Sequence, residues 1–347
     1  MRTLPRRDYG IDVLRTLAIL AMMAAHTTRL IEYDMRWSWS YFALLLEPLI
    51  PTLFLTLVGI SLAYSFALST SSPRIWYQRQ CKRGLMLWVI SGIFFALEEG
   101  FRFPDVLVAS GILCTIAYSL FFVGGLLALP KSNWLLGILW ILGVLAFYQM
   151  DHVGKKTFLL LSGNSPLFPL VLFALSGALW VRLYQVHPRW LMGGTVLLIF
   201  FGAFILVRQG LEPLFTNPLG RSDARRILLP SLMPMGGEPK EVLYYNLRPL
   251  LALFCLSFHF GALAISRLCL HFSGKWTRFF LVLGRHSLEI YMFHLFCLGA
   301  IVVLGGKRPL NSGWKGTLVL MAVMTLSWSW ALWRESKLFR KTPAQIQ

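Results

Sequence analysis

Asp8-Tyr9-Gly10-Ile11-Asp12-Val13-Leu14-Arg15-Thr16-Leu17-Ala18-Ile19-Leu20-Ala21-Met22-Met23-Ala24-Ala25-His26 opens the first long apolar run of the chain, and its reading decides the fold. From residue 11 to about residue 31 the run is long enough to cross a bilayer as a helix. It nevertheless carries Asp12, Arg15 and His26. At about 100° per residue, positions 12, 15, 19, 22 and 26 return to one helical face, so the three ionisable groups form one stripe. Ten residues separate Arg15 from His26, which is about 16 Å along the helix axis. Ionisable groups inside a span are costly and turn toward a bundle interior or a wet cavity. Asp12 and Arg15 read equally well as a local ion pair at the membrane edge. His26, about two-thirds of the way across a span of this length, reads as a site.

The rest of the composition agrees with a membrane protein. Of 347 residues, 56% are hydrophobic and only 14% charged, and the mean hydropathy is +0.63. No soluble chain of this length hides that much apolar surface, so the fold expected is an all-α, polytopic membrane helix bundle. The net charge of +18 invites a nucleic-acid partner. The basic residues instead punctuate the gaps between apolar runs, as cytoplasmic membrane loops do, so no nucleic acid is expected. Cys81, Cys114, Cys255, Cys269 and Cys297 are odd in number and scattered. They imply neither a disulfide framework nor a zinc site, and no metal is expected. The short basic N-terminus runs directly into the first apolar stretch and reads as a retained helix.

Apolar runs of spanning length place about ten helices near 11–32, 45–69, 83–99, 105–129, 133–150, 165–186, 190–208, 244–268, 278–305 and 314–334. Arg2, Arg6 and Arg7 precede the first span and put the N-terminus in the cytoplasm. Alternation then puts the C-terminus there too. The whole chain, 1–347, reads as a single transmembrane domain with one long extracytoplasmic loop at about 210–243. That loop is rich in proline and glycine and suits either a functional lid or a solvated tether.

Two further clusters can carry chemistry. In Arg74-Ile75-Trp76-Tyr77-Gln78-Arg79-Gln80-Cys81-Lys82-Arg83, the residues Arg79, Lys82 and Arg83 stand at i, i+3 and i+4 and share a helical face. Such a face suits phosphates, although composition alone favours an ordinary positive-inside flank that binds lipid headgroups. In Leu283-Gly284-Arg285-His286-Ser287-Leu288-Glu289-Ile290-Tyr291-Met292-Phe293-His294, the residues Ser287, Tyr291 and His294 form a polar stripe. They either satisfy one another between packed helices or line a cavity. Glu47, near the outer end of the second span, is an intramembrane carboxylate candidate. His259 reads as a satisfied interior histidine. There is no P-loop, no GxSxG elbow, no HExxH and no dinucleotide fingerprint.

Taken in order, these stretches resemble the transmembrane acyltransferase superfamily, meaning the acyltransferase-family-3 proteins and the heparan-α-glucosaminide N-acetyltransferase-like bacterial membrane proteins. The residues that carry the resemblance are Ile11-Asp12-Val13-Leu14-Arg15 with Met22 and His26, Pro51 to Ala63 around Gly59, and Arg79-Gln80-Cys81-Lys82-Arg83. Gly111-Ile112-Leu113-Cys114, Ser165-Pro166-Leu167-Phe168-Pro169 with Gly177, and Gly284 to Tyr291 with His294 complete it. Lys82 stands where the family often has arginine, and Cys114 where it usually has glutamine.

The resemblance implies an enzyme of the bacterial cytoplasmic membrane that moves an acetyl or other short acyl group from cytoplasmic acyl-CoA, with acetyl-CoA as donor substrate. The acceptor implied is a carbohydrate or glycolipid of the cell envelope, acylated on oxygen or nitrogen. His26 would be the catalytic histidine, with Arg15 and Asp12 beside it. Arg79, Lys82 and Arg83 would hold the CoA, and Ser287, Tyr291, His294 and Glu47 would line the substrate pocket. Two other readings fit the same stripes: a transporter of a small or lipid-linked solute, and a non-catalytic membrane subunit.

Overall fold

Leu49 to Ala67 is a run of 19 residues with no Asp, Glu, Lys or Arg, and in such a run the backbone polar groups can be satisfied internally only as a helix. The same rule holds for the other apolar runs among the described residues. The computed structural model describes residues 8–28, 49–99, 105–108, 111–130, 132–153, 167–209, 249–270, 276–304 and 313–341, and among these it is all helix, turn and bend with no strand. The helices are α1 Tyr9–Thr28, α2 Leu49–Ala67, α3 Pro73–Glu99, α4 Asp105–Val108, α5 Ile112–Ala128 and α6 Ser132–Val153. They continue as α7 Leu167–Val186, α8 Pro188–Gln209, α9 Pro249–Leu270, α10 Trp276–Arg285, α11 Ser287–Leu304 and α12 Gly313–Lys341. Glu47 and the segment 210–243 lie outside the described residues.

About ten crossings were expected. Among the described residues, four helical stretches are long and apolar enough to cross a membrane: Tyr9–Thr27, Leu49–Ala67, Leu167–Val186 and Lys315–Lys337. Five further apolar helices are shorter. Two expected spans are interrupted. The run 105–129 divides into α4 and α5, with Gly111 between them at φ 100°, a conformation that L side chains resist. The break frees the Leu107 carbonyl, and side chains take its place: Trp88 Nε1 donates to it at 2.8 Å, the Tyr118 hydroxyl at 3.0 Å and the Cys114 thiol at 3.5 Å. The run 278–305 divides at His286 into α10 and α11. Apolar content does not record where an i→i−4 ladder stops, so the break at Gly111 was invisible to the hydropathy pattern, while the polar run Arg285-His286-Ser287 marks the one at His286.

The chain forms two compact units. The first contains α2 from Pro51 onward, α3 to α8, and α9 as far as Gly261. Its core is built on close backbone approach: a Cβ on Gly59 would strike the Ala174 carbonyl, and one on Gly177 would strike the Thr56 carbonyl. Small residues at such crossings let two apolar helices gain dispersion contact where the hydrophobic effect gives none. α3 lies along α5, with Trp76, Gln80, Gly84 and Leu87 buried as one stripe. On α6, Leu136 and Phe147 face inward while Trp134, Ile138, Ile141, Leu145 and Tyr148 are exposed at helical spacing. An exposed apolar stripe of that length is the surface that lipid acyl chains cover.

The second unit contains α1, α9 from Ala262 onward, and α10 to α12. Here α1 packs on α10, α11 and α12. Gly284 permits the first of these contacts, because a Cβ there would meet the Asp12 carbonyl and lie 2.7 Å from the Thr16 hydroxyl.

Candidate functional site

The start of α1 is fixed before any chemistry is considered. Asp8 Oδ1 accepts the Gly10 backbone N–H at 3.0 Å, satisfying one donor that a helix N-terminus leaves over. Its other oxygen accepts from Arg267 Nε at 3.0 Å and from Arg267 Nη2. One carboxylate therefore caps α1 and ties it to α9. The next turn holds Asp12, only 4% exposed, with Arg15 Nη1 donating to its Oδ1 at 3.3 Å. Thr16 donates its hydroxyl to the Asp12 carbonyl at 2.9 Å. Asp12, Ile19 and Met22 are all buried, and Arg15 and His26 are partly so, so the stripe read from the sequence faces the interior of its unit.

His26 lies in the last turn of α1. Its Nδ1 is 3.1 Å from Nε2 of His294 on α11. The ring centroids are 5.2 Å apart and the planes inclined by 28°. The nitrogens are thus closer than the ring centres, and the rings meet edge to edge in nearly one plane. Tyr291 stands crosswise to both, with centroids 6.3 Å from His26 at 68° and 5.4 Å from His294 at 77°. His294 is fully buried, and its Nδ1 lies 3.1 Å from the Ile290 carbonyl oxygen of its own helix.

α11 is held from outside this cluster by charge. Arg334 of α12 donates to both oxygens of Glu289, at 2.8 and 2.9 Å. Arg285, at the end of α10, pairs with Glu335, and His286 Nε2 lies 3.5 Å from the same Glu335.

Of the residues read as candidates, the second unit brings His26, Tyr291 and His294 together and sets Asp12 and Arg15 along the same face of α1. Ser287 makes no hydrogen bond to either histidine among the described residues; it is the first residue of α11. In the first unit, Arg79, Lys82 and Arg83 are exposed on α3 and form no ion pair among the described residues. An unpaired cationic face of two arginines and a lysine can take phosphate oxygens. Among the described residues no three His, Cys, Asp or Glu side chains converge as metal ligands would.

Two sets of partners escaped the sequence reading, although His259 itself is the satisfied interior histidine that the sequence indicated. The Asp8–Arg267 tie joins positions 259 residues apart and left no local signal beyond an aspartate before a helix. In the first unit, His259 is 1% exposed, with Nε2 3.3 Å from the Thr52 hydroxyl and Nδ1 3.0 Å from that of Thr56. The i, i+4 spacing of Thr52 and Thr56 on an otherwise apolar helix was the available hint.

The model of the family described as heparan-alpha-glucosaminide N-acetyltransferase, catalytic, matches residues 7–190. That segment includes Asp12, Arg15, His26, Arg79, Lys82 and Arg83, and it stops before Ser287, Tyr291 and His294. None of the curated proteins matches the chain.

Proposed function

The chain belongs to the heparan-alpha-glucosaminide N-acetyltransferase catalytic family, and on that premise we propose that it is a membrane acetyltransferase taking its acetyl group from acetyl-CoA. The acceptor is a hydroxyl or amine of an envelope glycan, a glucosamine amine being the form the family's name points to. The observation that supports this reading is the imidazole of His26, part-exposed and hydrogen-bonded edge-on to His294, inside the segment that matches the family.

The chemistry asked of these residues is limited. His26 takes the proton of the acceptor O–H or N–H as that atom attacks the thioester carbonyl carbon. The tetrahedral centre then collapses, the C–S bond breaks, and the same proton passes to the departing thiolate. The products are the acetylated acceptor and free CoA thiol. Arg79, Lys82 and Arg83 hold donor phosphates, arginine in bidentate fashion and lysine as a point charge. Asp12 and Arg15 keep their stretch of the inward stripe net neutral, which lowers the cost of a charged pair within a span. Both termini are cytoplasmic, the membrane is the bacterial inner membrane, and the crossings number about ten.

Titration of acetyl-CoA into the purified full-length protein tests the reading. Saturable binding is expected, followed by release of free thiol when a glucosamine-ended glycan is added. Absence of donor binding, or thiol release indifferent to every hydroxyl or amine acceptor supplied, would overturn it.

A further inference from the structure

We propose that His294 is a positioning residue that fixes the tautomer of His26, leaving the proton on Nδ1 and making Nε2 the basic nitrogen of the ring. One atom in this chain of contacts has a role with no freedom. The Ile290 carbonyl oxygen carries no proton and can only accept. His294 Nδ1, 3.1 Å away, must therefore be the N–H donor. A neutral imidazole has one N–H, so His294 Nε2 carries a lone pair and accepts. The atom facing it at 3.1 Å is His26 Nδ1, which must then donate. The proton of His26 is thus on Nδ1, and the lone pair is on Nε2.

The alternative is a second proton on His294, which would make Nε2 a donor and reverse the order at His26. That form places a charged ring where solvent contact is zero and, among the described residues, no carboxylate pairs with it. Burying an unpaired charge costs far more than burying a neutral, hydrogen-bonded ring. Ring orientation supports the neutral form. Lone pairs of imidazole nitrogens lie in the ring plane, and the two rings are only 28° from coplanar. Tyr291, crosswise to both, keeps them from rotating out of that plane. The arrangement follows the general logic by which the hydrogen bond at one nitrogen of a histidine decides what the other can do.

That the basic Nε2 then serves acetyl transfer rests on the acetyltransferase reading; the tautomer itself does not. The experiment uses both facts. Full-length protein labelled with ¹⁵N-histidine is placed in lipid nanodiscs, and the His26 and His294 signals are assigned by their loss in His26→Ala and His294→Gln. In the wild type, both rings are expected as Nδ1–H tautomers with unprotonated Nε2. In His294→Leu, His26 loses its fixed tautomer, and kcat for acetyl transfer falls about 10–100-fold while the KM for acetyl-CoA moves by less than about twofold. His294→Gln places an amide oxygen near the former Nε2 position, where it accepts from His26 Nδ1, and it recovers most of kcat. A His26 ring found as the Nε2–H tautomer in the wild type overturns the proposal. So does a His294→Gln variant no better than His294→Leu. Should His294→Leu fail to fold, the wild-type spectrum and the glutamine variant decide alone. If the wild type transfers no acetyl group, the acetyltransferase reading fails, and the nitrogen spectrum still decides the tautomer.

Discussion

His259 and His294 are both sealed from solvent, at 1% and 0% exposure, yet their hydrogen bonds lead in different directions. Around His259, Thr56 spends its hydroxyl proton on the Thr52 carbonyl at 2.9 Å, so it can only accept from His259 Nδ1. The remaining lone pair on Nε2 then takes the Thr52 hydroxyl. These bonds run between buried side chains and a helical carbonyl of the same unit. Around His294 the bonds also begin at a helical carbonyl, that of Ile290, but they pass outward to a second, part-exposed imidazole at His26. Burial alone does not separate a packing histidine from a working one. On the proposed mechanism, the direction of the hydrogen bonds and the exposure of the ring at their end do.

Three variants sharpen or break that contrast, taken from the largest effect to the smallest. His26→Ala removes the proposed base, and acetyl transfer should fall about 10²–10⁴-fold with an unchanged thermal midpoint in the same detergent. Transfer rates above one-tenth of wild type would end the contrast at once. Replacing Arg79 and Arg83 together with alanine should raise the KM for acetyl-CoA about tenfold, the equivalent of one charge-assisted contact of about 1.4 kcal/mol, with kcat held. A fall in kcat with KM unchanged would remove donor phosphates from this face. His259→Leu leaves two threonine hydroxyls short of a partner and should lower stability by about 1–3 kcal/mol. Turnover per folded molecule should stay within about twofold of wild type, measured against active-site titration. A specific loss of turnover with stability intact would make His259 more than a packing group.

Much of this was legible in the sequence because helices record which face a residue occupies. The stripe 12, 15, 19, 22, 26 does turn inward, with Ile19 and Met22 buried between the ionisable positions. The basic face at Arg79, Lys82 and Arg83 was legible for the same reason. What periodicity cannot record is depth and partnership. Ser287 shares a stripe with Tyr291 and His294 but sits at the start of α11 and joins neither histidine. The His26–His294 bond spans 268 residues, and nothing local in either stretch names the other. The joint at Gly111 was silent because Val106, Leu107 and Val108 before it and Ile112 and Leu113 after it are apolar, whereas at His286 the polar run Arg285-His286-Ser287 was a signal that the span-length count passed over.

One measurement bears on the central claim more directly than any other. Full-length protein in lipid vesicles is given acetyl-CoA labelled in the acetyl carbonyl and a glycan ending in glucosamine, and the label is followed into the glycan. Wild type and His259→Leu should both transfer it, while His26→Ala should not, although it binds acetyl-CoA as well as wild type. Label reaching the glycan at an undiminished rate in His26→Ala would contradict the account, because His26 is its proposed base.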